Sequence, residues 1–255
     1  MLIDGHVHLY PGVDRGAFLS AAAHNLATAG RRAGLNTEPF ALLLTETPRE
    51  TGFDDLTAGR DVPLGWRVEL LPDDPLAIRL HGPDTQALVL VAGRQIVSAE
   101  RLEVLAIGYR GAALDGQPLD DVLRTLRAEG RPAILPWGAG KWLGARGARI
   151  AALVSDGLPT GVFLGDNGGR PLGWPAPGVF AAAGLVLPGS DPLPVFGAWR
   201  DVGRYGFHLS DAIDPARPAR SILSALLALR HQPTIIGRRV ALPGFVARQI
   251  RLRVS

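Results

Sequence analysis

His6-Val7-His8 stands at the end of an apolar run that begins at Leu2. Residues two apart on a strand share one face, so both imidazoles would project to the same side. Side by side they can hold one divalent metal ion or a phosphate. The competing reading is two histidines satisfied by hydrogen bonds. Thr45-Glu46-Thr47 ends a second apolar run, and Gly189-Ser190-Asp191-Pro192 ends a later one. Glu46 there would bring a carboxylate beside the histidines, and Asp191 could ligate a metal or accept a proton. The bland alternatives are a helix-capping glutamate and an Asx-turn before Pro192.

Two glycine-rich loops add further candidates. Pro136-Trp137-Gly138-Ala139-Gly140-Lys141-Trp142 offers a cation between two indoles, and Lys141 is the single lysine among 27 basic residues. A buried lysine can lose its proton whereas arginine effectively cannot, so a lysine kept in an arginine-rich chain is a candidate for chemistry, the alternative being that one lysine persists by chance. We expect Lys141 and Trp137 to clamp an anionic group, with backbone N–H groups helping. Gly165-Asp166-Asn167-Gly168-Gly169-Arg170 offers an acid, an amide and a guanidinium. Asp166 would move protons and Asn167 and Arg170 would bind substrate, unless the segment is simply a tight turn. His24, in an alanine-rich stretch, and His231, before a proline, read as structural or exposed.

The elements that must position these residues follow from periodicity. Leu2 to Leu9 reads as a strand, Phe18 to Gly30 as a helix stopped by Gly34, and Phe40 to Thr45 as a second strand. Strand, helix, strand in that order argues for parallel strands with a helical crossover. Between Trp66 and Gly108 the rhythm changes to extended runs at 66–71, 76–80, 87–91 and 102–107. Turn signals at Pro72-Asp73-Asp74 and His81-Gly82-Pro83-Asp84 separate them, so a β-rich insertion over about 66–100 is expected. Pro118 to Glu129 is a helix with Leu119, Val122, Leu123 and Leu126 on one face. Strands are expected at 133–136, 161–164, 184–187 and 205–209, and a helix at 221–230. The functional-looking loops follow strands, and α/β barrels carry their sites at the C-terminal strand ends. The expected architecture is one domain over 1–255.

Composition narrows the classes. Without cysteine there are no disulfides, thiolate metal sites or cysteine nucleophiles. The net charge of +3 leaves no basic face except a cluster at Arg238, Arg239, Arg248, Arg251 and Arg253, read as a solvated surface, so no nucleic-acid partner is expected. No apolar stretch is long enough for a membrane span and no leader pattern is visible, so a cytoplasmic protein is expected. The excess of arginine over lysine fits a GC-rich genome.

Taken together, these segments resemble the PHP (polymerase and histidinol phosphatase) family. The motifs are Asp4-Gly5-His6-Val7-His8, Ala33-Gly34-Leu35 before Leu44-Thr45-Glu46-Thr47, the stretch from Gly93-Arg94-Gln95 to Leu102-Glu103-Val104, and Gly189-Ser190-Asp191. The resemblance implies a distorted (β/α)7 barrel and a metal-dependent phosphoesterase. It implies metal ligands at His6, His8, Glu46, Glu103 and Asp191, and phosphate contacts from Lys141, Arg170 and Arg94. Several positions depart from the family pattern: Thr47, Gln95, Glu103 and Leu193 stand where other ligands are usual. One or two ions are therefore expected rather than three, and mixed nitrogen and oxygen ligation suits zinc, manganese or iron. Two other classes remain open: an inactive binding or scaffold protein, and an amidohydrolase-like C–N hydrolase in which a carboxylated Lys141 bridges metals.

Overall fold

The computed structural model describes residues 1–254 apart from 36–38, 84–85 and 196, with backbone alone at 248, 249 and 251–254. In chain order the elements are β1 (Leu2–Val7), α1 (Arg15–Arg32), β2 (Phe40–Leu44), α2 (Gly52–Thr57), β3 (Arg67–Leu70), β4 (Ala77–His81), β5 (Ala87–Val91), β6 (Gly93–Val97) and β7 (Glu103–Ile107). They continue with α3 (Leu119–Ala128), β8 (Ala133–Pro136), α4 (Ala145–Ser155), β9 (Val162–Asn167), α5 (Gly178–Ala183), β10 (Val186–Gly189), β11 (Tyr205–His208), α6 (Pro218–Ala228), β12 (Thr234–Gly237) and α7 (Leu242–Val254).

Local chemistry explains α1 and α3. Asp14 caps α1 by accepting from Ala17 N at 3.0 Å, and Arg31 and Arg32 sit at its negative C-terminal end. Gly34 then takes a left-handed φ of 71°. α3 buries Leu119, Val122, Leu123 and Leu126, the face expected from spacing.

The strands form two mixed sheets, a seven-stranded one ordered β12-β11-β1-β2-β5-β4-β3 and a five-stranded one ordered β10-β9-β8-β7-β6. This corrects the expected (β/α)7 barrel: there is no closed barrel. The reason lies in the hairpins. β3, β4 and β5 pair antiparallel and extend the first sheet, while β7 runs antiparallel to both β6 and β8. Such pairs need only a short connection, so the succession of helical crossovers that would close a parallel barrel is broken. The 66–100 stretch is not an insertion either, because β5 sits beside β2 in parallel register. Residues 84 and 85, in one expected turn, lie outside the described residues, as do the side chains of Arg248, Arg251 and Arg253 in the expected basic cluster. β6, β12, α2, α4, α5 and α7 went unpredicted.

Three apolar cores stack through the molecule. One lies between the first sheet and α1, built on Leu2, Val7, Leu42, Leu44, Phe18 and Leu26. The second fills the space between the sheets, with Ile3, Leu43, Ile107, Phe163 and Phe207 closed off by Ile222, Leu223 and Leu226 of α6. The third packs α3 and α4 on the second sheet. None of the described helices is long and apolar enough to cross a membrane.

Candidate metal centre

The inner space ends in polar residues at the C-terminal end of β1. Simple alternation from Leu2, which belongs to the outer core, would turn His6 outward. Instead the β1–β2 register shifts between Asp4 and Val7, and Val7 and Leu9 join Leu2 in the outer core. The irregularity therefore re-aims His6 and His8. Asp4 holds it in place. Its buried carboxylate accepts from Ser190 N (2.8 Å), Ser190 Oγ (2.5 Å), Gly203 N (2.8 Å) and His6 N (3.2 Å). Burial pushes the Asp4 carboxyl up to about 6 against the pull of those four donors.

β10 brings Asp191 to the histidines. A Cβ at Gly189 would lie 2.4 Å from His6 Cβ, so only glycine lets the two strands approach this closely. Asp191 N then donates to His6 O at 2.9 Å, with Asp191 at a left-handed φ of 47°. Aspartate tolerates that conformation better than most residues, and such outliers concentrate at functional sites.

His6 Nε2 lies 3.1 Å from His8 Nε2 and 3.7 Å from Asp191 Oδ1. Two further side chains orient this trio. Glu50 sits 3.0 Å from His8 Nδ1 and itself accepts from Thr47 Oγ1 at 2.8 Å. A proton on Nδ1 facing Glu50 leaves the Nε2 lone pair of His8 pointing at His6 and Asp191. Asn167 Nδ2 donates to Asp191 Oδ2, while its Oδ1 accepts from Gly169 N at 2.6 Å. Tyr10 stacks on His8 with ring centres 5.2 Å apart and planes at 15°.

Electrostatics follow the same geometry. Burial drives the His6 imidazole down to about 4, helped by His8 and Lys141 and opposed by Asp191 and the Gln95 side chain. His8 is also pulled down by burial, but Glu50, Asp191 and Glu103 outweigh it and the net direction is up. Burial raises Asp191, yet His6, His8, Lys141 and Asn167 bring it below its ordinary value.

His6, His8 and Asp191 can hold a metal ion: their ligand atoms all lie within 4.8 Å of one another. The fit is chemical as well as metric. Two nitrogens bound to a tetrahedral zinc at about 2.0–2.1 Å stand about 3.3 Å apart, close to the observed separation. Glu50 behind His8 is the carboxylate–histidine arrangement that fixes the tautomer of metal-binding imidazoles.

Other expected site residues are placed differently. Glu103 lies at this end because β7 runs backwards, so its first residue sits where its neighbours end. There it pairs with Lys141 Nζ at 2.5 Å. Trp137 and Trp142, both partly buried, pack against the third core, and Trp142 makes an edge contact with Phe180. Glu46 turns to the other face and accepts from Phe53 N in the first turn of α2 at 2.8 Å, and burial raises its carboxyl to about 7. Arg94 bridges Glu46 through the backbone and alternates with Gln95, so it faces away from His6. Asp166 alternates with Asn167 in the same way. It forms a bidentate pair with Arg170 at 2.7 Å for each bond and accepts from Tyr205 OH at 2.7 Å. Glu50 and Tyr10 escaped the sequence reading. Tyr10 follows His8 at strand spacing, which was a usable signal, while Glu50 sits in a loop 42 residues away.

No family model and no curated protein matches this chain. Among solved structures, PsfC from Pseudomonas syringae PB-5123 is similar over 100% of this chain and 98% of its own, at 19% identity and a TM-score of 0.54. Likeness at that identity concerns the fold alone.

A cleft of 620 Å³ lined by Leu9, Asp14, Arg15, Thr51 and Asp55 includes none of the three clustered side chains.

Proposed function

We propose that this protein is a metal-dependent hydrolase, a phosphoesterase acting on a small anionic substrate. The observation that carries the reading is the buried His6–His8–Asp191 cluster with Glu50 aligning His8. Here His6, His8 and Asp191 hold one ion of zinc, manganese or iron, the metals that accept mixed nitrogen and oxygen ligands. When bound, such an ion supplies Lewis acidity toward a phosphoryl oxygen and a water acidic enough to attack near neutral pH.

The chain's own residues do the rest. Glu50 keeps the Nδ1 proton of His8, so the ring presents its Nε2 lone pair. Asn167 holds one oxygen of Asp191 and leaves the other directed at His6. Lys141 is half-exposed and its charge is felt at both His6 and Asp191. An incoming phosphate competes with Glu103 for its ammonium, which places a cation against the transferred group. Glu103, released from that pair, is then the open carboxylate able to take a proton.

The resemblance of the His6-Val7-His8 and Gly189-Ser190-Asp191 segments to PHP motifs supports the same chemistry, without the barrel. Asp166 and Arg170 bond each other, Glu46 accepts from Phe53 N, Trp137 packs on the third core and Arg94 alternates away from His6, so none of the five has a part in it.

The test is turnover of a panel of phosphomonoesters, phosphodiesters and amides by protein reconstituted with zinc, manganese or iron. Phosphoester cleavage that disappears in Asp191→Asn is expected. Amide cleavage alone would replace the reading with C–N hydrolysis, and bound metal with no turnover on any class would leave an inactive binding protein.

A further inference from the structure

Outside this centre, one concave surface gathers more positive charge than its own neighbours balance. A pocket of 400 Å³ lies between α1, the 198–204 turn and the end of β12. Arg32, Arg200, Arg204 and Arg238 line it, with His24 and Thr28. Among the described residues its one acid is Asp201, bonded to Arg204 at 3.0 Å. Among the described residues, Arg32, Arg200 and Arg238 have no carboxylate within ion-pair distance.

The four guanidiniums come from three distant parts of the chain, and the fold takes care to bring them together. His24, Thr28 and Arg32 are spaced four apart and share one face of α1. Asn25 Nδ2 donates to Arg200 O and Val202 O, both at 2.8 Å, and pins the turn to the helix. Arg238 N donates to Arg204 O at 3.0 Å. Gly237, at φ 76°, makes that approach possible, because a Cβ there would meet Arg204 O at 2.0 Å. Arg238 belongs to a stretch with no counter-charge: after Asp214 there are eight arginines and no aspartate or glutamate. A helix C-terminus favours a cation, which accounts for Arg32 but not for Arg200 or Arg238.

We infer that this pocket is a second binding site, separate from the metal centre, for the phosphate chain of a small oligophosphate. Guanidiniums match phosphate oxygens in paired hydrogen bonds, and several converging forks suit a chain of adjacent phosphates better than one carboxylate. The volume falls within the range of small-ligand pockets, roughly 300–1,000 Å³. The pocket shares no residue with the His6–His8–Asp191 cluster.

Calorimetric titration of tripolyphosphate, and separately of ATP, into protein stripped of metal on a chelating resin tests this. Saturable one-to-one binding is expected. Arg200→Gln and Arg238→Gln should each weaken it about tenfold or more, the loss of one charge-assisted contact. The triple Arg32→Gln, Arg200→Gln, Arg238→Gln variant should abolish it, while Arg124→Gln on α3 leaves it unchanged. These side chains are not part of any core, and melting temperatures verify that each variant is folded. Equal binding of the two ligands assigns recognition to the phosphates alone, and tighter ATP binding assigns the site to nucleotides. No saturable binding of either, an unchanged triple variant, an equal loss in Arg124→Gln, or binding confined to nucleic-acid oligomers would overturn the inference. Because metal is absent throughout, failure here leaves the hydrolase reading intact, and failure of that reading leaves this site intact.

Discussion

Asp166 and Asn167 are consecutive residues of β9, yet they serve opposite kinds of polar cluster. Asp166 faces a network complete in itself, with two bonds from Arg170, one from Tyr205, and Arg170 also donating to Trp174 O. Asn167 faces His6, His8 and Asp191, where the Nε2 atoms of the two imidazoles meet each other beside one carboxylate oxygen. A buried ion pair whose bonds are all made internally holds structure together. A cluster whose lone pairs converge on a shared point has capacity left for a ligand.

That contrast is broken most forcefully by mutating both sides. Arg170→Ala leaves a buried carboxylate unpaired and should cost about 3–5 kcal/mol of stability by urea unfolding. Asp191→Asn keeps the left-handed backbone that asparagine also tolerates and keeps an acceptor for Asn167. It should change stability by less than about 1 kcal/mol. Equal destabilisation by the two would erase the distinction. Next in size, Glu50→Gln should weaken metal binding about tenfold to a hundredfold, the usual cost of losing a carboxylate behind a ligating histidine. An unchanged metal affinity would make Glu50 a packing residue.

The smallest effect concerns a surface cluster. Arg15 and Arg60 hold Asp55 down to about 2, below its ordinary 3.8. A depressed carboxyl contributes stability that is present above its unfolded value and lost as pH falls toward 2. Because these are surface groups, the gain is under about 1 kcal/mol. Asp55→Asn should therefore lower the melting temperature slightly at pH 6 and by much less near pH 2, where about half of the folded carboxyl is protonated. A difference as large at pH 2 as at pH 6 would rule out the ion pair as its source.

Much of the centre was legible because strand spacing is local. His-x-His places two rings on one face whatever follows, and Asp191 announced itself by ending an apolar run. Glu46 was misplaced because one residue decides a strand face, and the register turns Thr47 rather than Glu46 toward Glu50. The barrel failed for a non-local reason: nothing in residues 103–107 tells β7 to run antiparallel to β8. That reversal is also why Glu103 reaches the site from the start of its strand. Trp137 and Trp142 flank Lys141 in sequence, but burying indole against α3 and α4 outweighs any gain from clamping an exposed ligand.

Titration of zinc and manganese into chelator-stripped protein decides whether His6, His8 and Asp191 form a metal centre. We predict one ion bound per chain by wild type and none by the folded His6→Ala, His8→Ala double variant. An ion bound with unchanged affinity by that variant would refute the assignment.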